Sequence, residues 1–355
     1  MSKIAFVTQN FKLGGIQKSL INVLNSIDYR NTQVDVYIFD KNIFYINEIN
    51  KKANIILVPN YPFSFKFIRF DIIHNIITKY NSTKKYDFVV DFDSYQFNTS
   101  HVALSLNADH YISWIHNDKK NETKYNFKFR ILDHFMKSKY KYFDTFVSVS
   151  NGALKSFKAK YKLKNKKYAV IPNIIDTDEI LSKAKEKIDD VEIDPTKYNL
   201  VSTGRLVIQK GFDYLIKDMK EVVKEREDIH LYILGSGPEK EHILNLIDKY
   251  KLNSFITLLP SKQNPFKYMN ACDGFILESR YEGQGMSILE AKVLGLDIYI
   301  PERIEEYNGY NIKGTKDIVS ALIKAKKNED KEIDTMDKYN EDIENKLEDL
   351  FKVEN

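Results

Sequence analysis

Only one cysteine, Cys272, occurs in the chain, which excludes an internal disulfide framework and any multi-cysteine zinc site; its apolar setting marks it as a small core residue. No basic-then-apolar leader opens the sequence, and no run approaches about eighteen apolar residues, so neither secretion nor a membrane span is expected. The patterns of an RNP element, a zinc finger or a recognisable helix-turn-helix are also missing, which argues against nucleic acid as a partner despite several lysine-rich stretches. The first glycine loop, Gln9 to Gly15, lacks the G-x-G-x-x-G spacing of a dinucleotide fingerprint.

The composition itself is globular, with 43% hydrophobic and 29% charged residues, and a length of 355 residues favours two domains over one core. A formal net charge of +4 hides an asymmetry. Residues 1–175 hold 27 Lys and Arg against 13 Asp and Glu, whereas 176–355 hold 27 against 37, so two domains with surfaces of opposite sign are expected.

Lys3 to Thr8 reads as a buried strand, Gly14-Gly15 closes a tight turn, and Ile16, Leu20, Val23, Leu24 and Ile27 recur at helical spacing. The next strand, Val34 to Phe39, completes a βαβ unit and hence a parallel sheet. Further strands are expected at 55–58, 86–90, 111–115 and 145–150, the last followed by Asn151 as a helix cap. Alternate aromatics from Tyr61 to Phe70 suit either a packed strand or a greasy surface. Strand 86–90 ends at Asp91-Phe92-Asp93, a pair that would either hold a divalent metal under a nucleotide diphosphate or simply form a turn. Strand 111–115 delivers His116, Asn117 and Asp118 to its C-terminal end, where open α/β sheets collect ligands. Eight Lys or Arg stand against two acids between Lys119 and Tyr142, with aromatics interleaved, and Lys155 to Lys167 adds seven lysines and no acid. Such a face suits an anionic membrane surface.

A polar connector leads to Pro195, and Leu200 to Thr203 opens a second series of βα units. Gly204-Arg205 and Lys210-Gly211 then flank the mouth of a helix beginning near Phe212. Two cations at a helix N-terminus oppose its dipole by about 0.3–1 kcal/mol each, so they make most sense with an anion between them. Strand 230–234 runs into Gly235-Ser236-Gly237, a close-approach turn, and strand 275–277 into the stretch Ser279 to Gly295, SRYEGQGMSILEAKVLG. There a glycine turn opens a helix whose free N–H groups and dipole favour phosphate, while Glu282 and Glu290, with seven residues between them, offer two carboxylates to sugar hydroxyls.

The S-x-Y-E-G-x-G-x-x-x-x-E-A stretch and the G-R-x-x-x-x-K-G stretch together resemble the donor site of family 4 glycosyltransferases. The resemblance implies a GT-B fold: two doubly wound Rossmann-like α/β domains facing a cleft, with the C-terminal helix crossing back to the first domain. The expected divisions are 1–175, a hinge region at 176–198, a nucleotide-sugar domain at 199–335 and an amphipathic helix at 336–355, whose Tyr339, Ile343 and Leu347 share one face. By position, Arg205 and Lys210 clamp the donor pyrophosphate, Glu282 and His116 address the transferred sugar, and Glu290 holds the ribose. Gln284, Gly285, Met286 and Ser287 offer backbone to the donor, Gly14, Gly15 and Gly235 let it approach closely, and Asn117 and Asp118 lie on the acceptor side. After this stretch the chain departs from relatives, which often carry a glycine-rich loop where it reads Glu302 to Asn311.

The implied reaction moves a hexosyl group, with retention, from a UDP- or GDP-linked sugar to a hydroxyl of a lipid-linked glycan, with no cofactor and no metal. The Lys-, Asn-, Ile- and Tyr-rich composition suggests an AT-rich bacterium, where capsule or other surface-polysaccharide assembly is the usual setting. The expected location is cytoplasmic, peripheral on the inner face of the membrane. Two other readings stand: a metal-dependent transferase using Asp91 and Asp93, and a catalytically silent GT-B binding or assembly partner.

Overall fold

A computed structural model describes residues 2–11, 14–40, 47–58, 68–77, 79–80, 82–328 and 330–353. The chain divides into two compact units, Met1–Ile174 with Lys338–Asn355, and Ile175–Asp337.

The first unit holds seven parallel strands: β1 Ser2–Val7, β2 Thr32–Ile38, β3 Asn54–Leu57, β4 Lys85–Asp91, β5 Asn107–Ile115, β6 Thr145–Ser148 and β7 Lys167–Val170. Their order is β3-β2-β1-β4-β5-β6-β7, so the sheet reverses direction of growth between β1 and β4. Ile4 to Val7 and Val34 to Ile38, the hydrogen-bonded Asp35 included, are buried without alternation, as expected of strands covered on both faces. The helix Gly15–Ser26 buries Leu20, Ile21, Val23 and Leu24 and makes the βαβ crossover. The C-terminal helix Asp337–Leu350 belongs to this unit, burying Tyr339, Ile343 and Leu347. Phe351 just beyond it meets Phe6 and Phe88 edge-on, with ring centroids at 5.8 and 5.6 Å, and the Tyr339 hydroxyl donates to the Asn173 carbonyl at 3.1 Å.

Several local expectations differ from what forms. Strand β6 stops at Ser148 because Ser150, not Asn151, is the cap: its Oγ accepts from the Ala153 N–H at 3.1 Å and Asn151 is already helical. Four helices of this unit, Phe70–Ile76, Phe97–Ala103, Lys119–Tyr125 and Phe127–Met136, were not anticipated. The aromatic run from Tyr61 to Phe67 lies outside the described residues; at its end Ile68 is exposed and Phe70 is buried. Within the basic stretches, Lys119 and Lys139 point inward, 5% and 1% exposed, and so leave the surface face.

The second unit holds five parallel strands: β8 Tyr198–Thr203, β9 Ile229–Leu234, β10 Ile256–Leu259, β11 Gly274–Ile276 and β12 Asp297–Tyr299. Their order is β10-β9-β8-β11-β12, with the reversal between β8 and β11. The helix Phe212–Val222 buries Phe212, Leu215, Ile216, Met219 and Val222, an i, i+3, i+4, i+7 face laid on the sheet. Part of the expected connector is also ordered here. Thr177–Ala184 is a helix capped by Asp176, whose Oδ1 accepts from the Glu179 N–H at 3.0 Å.

Candidate functional site

In an open parallel sheet, ligands collect outside the carboxyl ends of the strands where the order reverses. In the second unit those strands are β8 and β11, and they are followed by the two stretches that the sequence singles out, 204–211 and 279–295. The loops interlock through backbone. Gly211 adopts φ +66°, and a Cβ there would stand 2.0 Å from the Glu278 carbonyl oxygen, so both conformation and space require glycine. The Arg280 N–H donates to the Gln209 carbonyl at 2.8 Å, and the Gln209 amide donates to the Tyr281 carbonyl at 3.1 Å. Arg280 also forks onto Asp213, both bonds 2.8 Å, and reaches the Ile208 carbonyl at 2.6 Å.

This clamp sets Lys210 beside Glu282. The ammonium lies 2.8 Å from Glu282 Oε1, and the Ser279 hydroxyl donates to the same oxygen at 2.5 Å. Glu282 is 4% exposed, so its charge is held by these two partners and not by bulk water. Glu290 stands further along, half-buried on the helix Met286–Val293. Burial pushes its carboxyl up to about 7, with Lys210 acting downward and Glu179 upward. The N-terminus of that helix has Gly285 at the cap position, no side-chain cap and no acid in the first turn. Gln284 is buried there, and Met286 and Ser287 are half-buried. Arg205 is exposed, and among the described residues its guanidinium makes no ion pair or hydrogen bond. A Cβ at Gly235 would sit 2.2 Å from the Gly204 carbonyl oxygen, so glycine there lets the β9 turn close on the first loop.

In the first unit the reversal falls between β1 and β4, and the helix Gly15–Ser26 begins after β1 with no side-chain cap at Gly14. Among the described residues nothing beyond its chain neighbours and its own helix lies within 4 Å of a Cβ built at Gly15. At the end of β5, His116 Nε2 donates to the Phe92 carbonyl at 2.8 Å, and the His116 N–H donates to the Tyr95 hydroxyl at 3.0 Å. Burial pushes its imidazole down to about 4, so the ring is neutral and Nδ1 carries the lone pair. Asp118 is 1% exposed and caps the helix Lys119–Tyr125, its Oδ1 accepting from the Asn121 N–H at 2.8 Å; Ser156 donates to that same oxygen. Asn117 Nδ2 bonds Glu122 at 3.1 Å.

Asp91 is fully buried, accepts from Ser100 Oγ at 2.5 Å and faces the buried Lys139. Burial and the neighbouring Asp91 push the Asp93 carboxyl up to about 6. Among the described residues no group of three or more His, Cys, Asp or Glu could hold a metal ion, so a cation there would have only this pair of buried carboxylates.

Residues that sequence reasoning missed are the braces of the donor loops: Ser279, Gln209, Arg280, Asp213 and Arg303. Gln209, Ser279 and Arg280 fall inside the two stretches that drew attention, Asp213 and Arg303 outside them, and nothing in a lone arginine announces a bond to backbone carbonyls.

Cations at a helix mouth, a helix N-terminus without a side-chain cap and two carboxylates at one switch point are chemically suited to an anion attached to a polyhydroxyl group. The comparisons agree in class. A family model described as Glycosyltransferase Family 4 matches residues 13–179, and one described as Glycosyl transferases group 1 matches residues 183–342. The chain belongs to the family 4 glycosyltransferases.

It is 27% identical over 194 residues to an uncharacterized glycosyltransferase of Methanocaldococcus jannaschii, covering 54% of this chain and 48% of that protein. It is 25% identical over 304 residues to an uncharacterized glycosyltransferase of Haemophilus influenzae, covering 84% and 80%. It is also 30% identical over 148 residues to an N-acetylgalactosamine-N,N'-diacetylbacillosaminyl-diphospho-undecaprenol 4-alpha-N-acetylgalactosaminyltransferase of Campylobacter jejuni, covering 42% and 38%. The match thus spans about half of the first relative's length and less of the third's. Among solved structures, Anabaena HepE in complex with UDP and glucose superposes with a TM-score of 0.60 at 16% identity, covering 91% of this chain and 89% of that one. At that identity the likeness is one of fold, the GT-B fold of two Rossmann-like domains.

Proposed function

We propose that the protein transfers a hexosyl group from a UDP- or GDP-linked sugar to a hydroxyl of a lipid-linked glycan, with retention, in bacterial surface-polysaccharide synthesis. The observation that carries this reading is the meeting of the two motif loops at the β8/β11 reversal, with Lys210 and Glu282 2.8 Å apart. The donor diphosphate takes Arg205, the remaining N–H groups of Lys210 and the N-terminus of the helix Met286–Val293. Those groups stabilise the leaving diphosphate by preorganised positive charge, without a metal. Glu282 and the 284–287 backbone take the transferred sugar, and Glu290 takes the ribose hydroxyls. His116 offers a neutral acceptor at Nδ1 to the sugar.

A lipid-linked acceptor is supported by the Campylobacter relative, whose name specifies a diphospho-undecaprenol substrate. Among the described residues no helix is long and apolar enough to cross a membrane, so access to such an acceptor would come from surface docking. Candidates for that surface are the exposed Ile72 and Ile76 on the helix Phe70–Ile76, Tyr125 and Phe127 on the basic helices, and the exposed lysines between Lys155 and Lys167.

The test is transfer of a labelled sugar from a panel of UDP- and GDP-sugars to bacterial lipid extracts in EDTA, with the anomeric configuration of the product read by NMR. Transfer with retention is expected. Loss in EDTA that Mn²⁺ or Mg²⁺ restores would move the reading to Asp91 and Asp93. Binding of donor without any turnover would favour the silent partner.

A further inference from the structure

We infer that Arg303 is a positioning residue for the donor site, acting through the backbone of loop 278–285, an inference that rests on the nucleotide-sugar reading above. It lies in the 3₁₀ turn Glu302–Tyr307. That turn grips both ends of the signature loop. At the start, Arg303 Nη2 donates to the Glu278 carbonyl at 2.9 Å and also bonds the Glu278 carboxylate, while Nε donates to the Ser279 carbonyl at 3.0 Å. At the end, the Tyr307 carbonyl accepts the Gly285 N–H at 3.1 Å.

The turn is itself fixed to the sheet edge. The Thr315 N–H donates to the Ile300 carbonyl at 2.8 Å, and Pro301 and Thr315 form a parallel bridge. A Cβ at Gly314 would stand 2.6 Å from Glu302 Cα, so the backbone packs directly against the start of the turn.

The consequence for the site follows from Ser279. Its carbonyl is held by Arg303 and its hydroxyl holds Glu282, which in turn pairs with Lys210. Arg303 therefore fixes the residue that fixes the glutamate facing the sugar, without touching the donor itself. Glu278 supplies the reason an arginine is needed. It is 4% exposed, so its carboxylate requires a counter-charge, and only a planar fork satisfies that charge and two carbonyls at once. Lysine would supply charge without the fork.

Three variants separate positioning from simple neutralisation: Arg303→Lys, Arg303→Met, and Arg303→Met combined with Glu278→Gln. The readouts are kcat and donor KM on the UDP- or GDP-sugar that wild type uses best, binding of UDP and GDP by calorimetry, and thermal stability. Arg303→Lys should lower kcat about tenfold or more while nucleotide binding changes by less than about twofold, because a small displacement of Glu282 is felt at the reacting centre and not at the diphosphate. Arg303→Met should lose stability, and adding Glu278→Gln should restore stability without restoring kcat. Wild-type kinetics in Arg303→Lys, or recovery of kcat in the double variant, would overturn the inference while leaving the proposed function standing. A wild-type protein that binds neither nucleotide and uses none of the sugars would overturn both.

Discussion

Glu290 and Glu282 sit in one site and have opposite electrostatic circumstances. Glu282 has an ammonium at 2.8 Å and a hydroxyl at 2.5 Å, whereas Glu290 is pushed up to about 7 by burial. A ribose hydroxyl needs an ionised acceptor, so donor KM should rise as pH falls through about 7 and level off above it. Glu290→Gln should hold KM near the wild type's low-pH value at every pH, so that it exceeds wild type only above about 7, and should remove that inflection; a flat wild-type profile between pH 6 and 8 would sink the assignment. Glu282→Gln and His116→Ala should instead lower kcat chiefly, and equal effects on both parameters in all three variants would remove the division of roles. His116 offers an independent check. With its imidazole held near 4, its ring proton signals should not titrate between pH 8 and 5, and a midpoint near 6.5 would contradict the buried, carbonyl-bonded geometry. The two stretches that meet at the β8/β11 reversal were legible in the sequence from spacing alone: a cation pair across a helix start and carboxylates on either side of a glycine turn. The braces were not legible, because Arg303 and Arg280 act on backbone carbonyls that any sequence would provide.

The strands and the long helices announced themselves by burial. Ile4 to Val7, Val34 to Ile38 and Leu200 to Ser202 are near-continuous apolar or small-residue runs because helices cover both faces of a parallel sheet. Short elements were harder. The helix Phe70–Ile76 leaves Ile72 and Ile76 exposed while burying Asp71 and His74, which inverts the pattern that sequence reading relies on. Asn151 and Ser150 are both good caps, and only the formed bond to Ala153 decides between them. The C-terminal helix was legible from its apolar face, and the structure adds its anchor. Phe351, 8% exposed, packs edge-on against Phe6 and Phe88, so Phe351→Ala should cost about 3 kcal/mol by denaturant titration, in the range for a buried aromatic. A loss below about 0.5 kcal/mol, the range of surface substitutions, would mean that the helix is not fastened there.

Charge is uneven along the chain, with an excess of base in residues 1–175 and of acid in 176–355. If the basic excess serves an anionic membrane, exposed lysines contribute about 1 kcal/mol each near the surface and binding weakens with salt. Lys119 and Lys139 are buried and take no part, whereas Lys155, Lys158, Lys162 and Lys164 are exposed. Sedimentation with anionic and neutral liposomes should show salt-sensitive binding to the anionic ones, released by reversing those four lysines to glutamate; indifference to lipid charge at low ionic strength would dismiss the membrane. What the molecule does depends first on the donor. Calorimetric titration of UDP and GDP into wild type, Lys210→Ala and Glu290→Gln addresses that. One nucleotide should bind wild type saturably and bind each variant about tenfold or more weakly, as expected for loss of a charge-assisted contact. Failure of both nucleotides to bind wild type, or equal binding by all three proteins, would contradict a nucleotide-sugar site at the β8/β11 reversal.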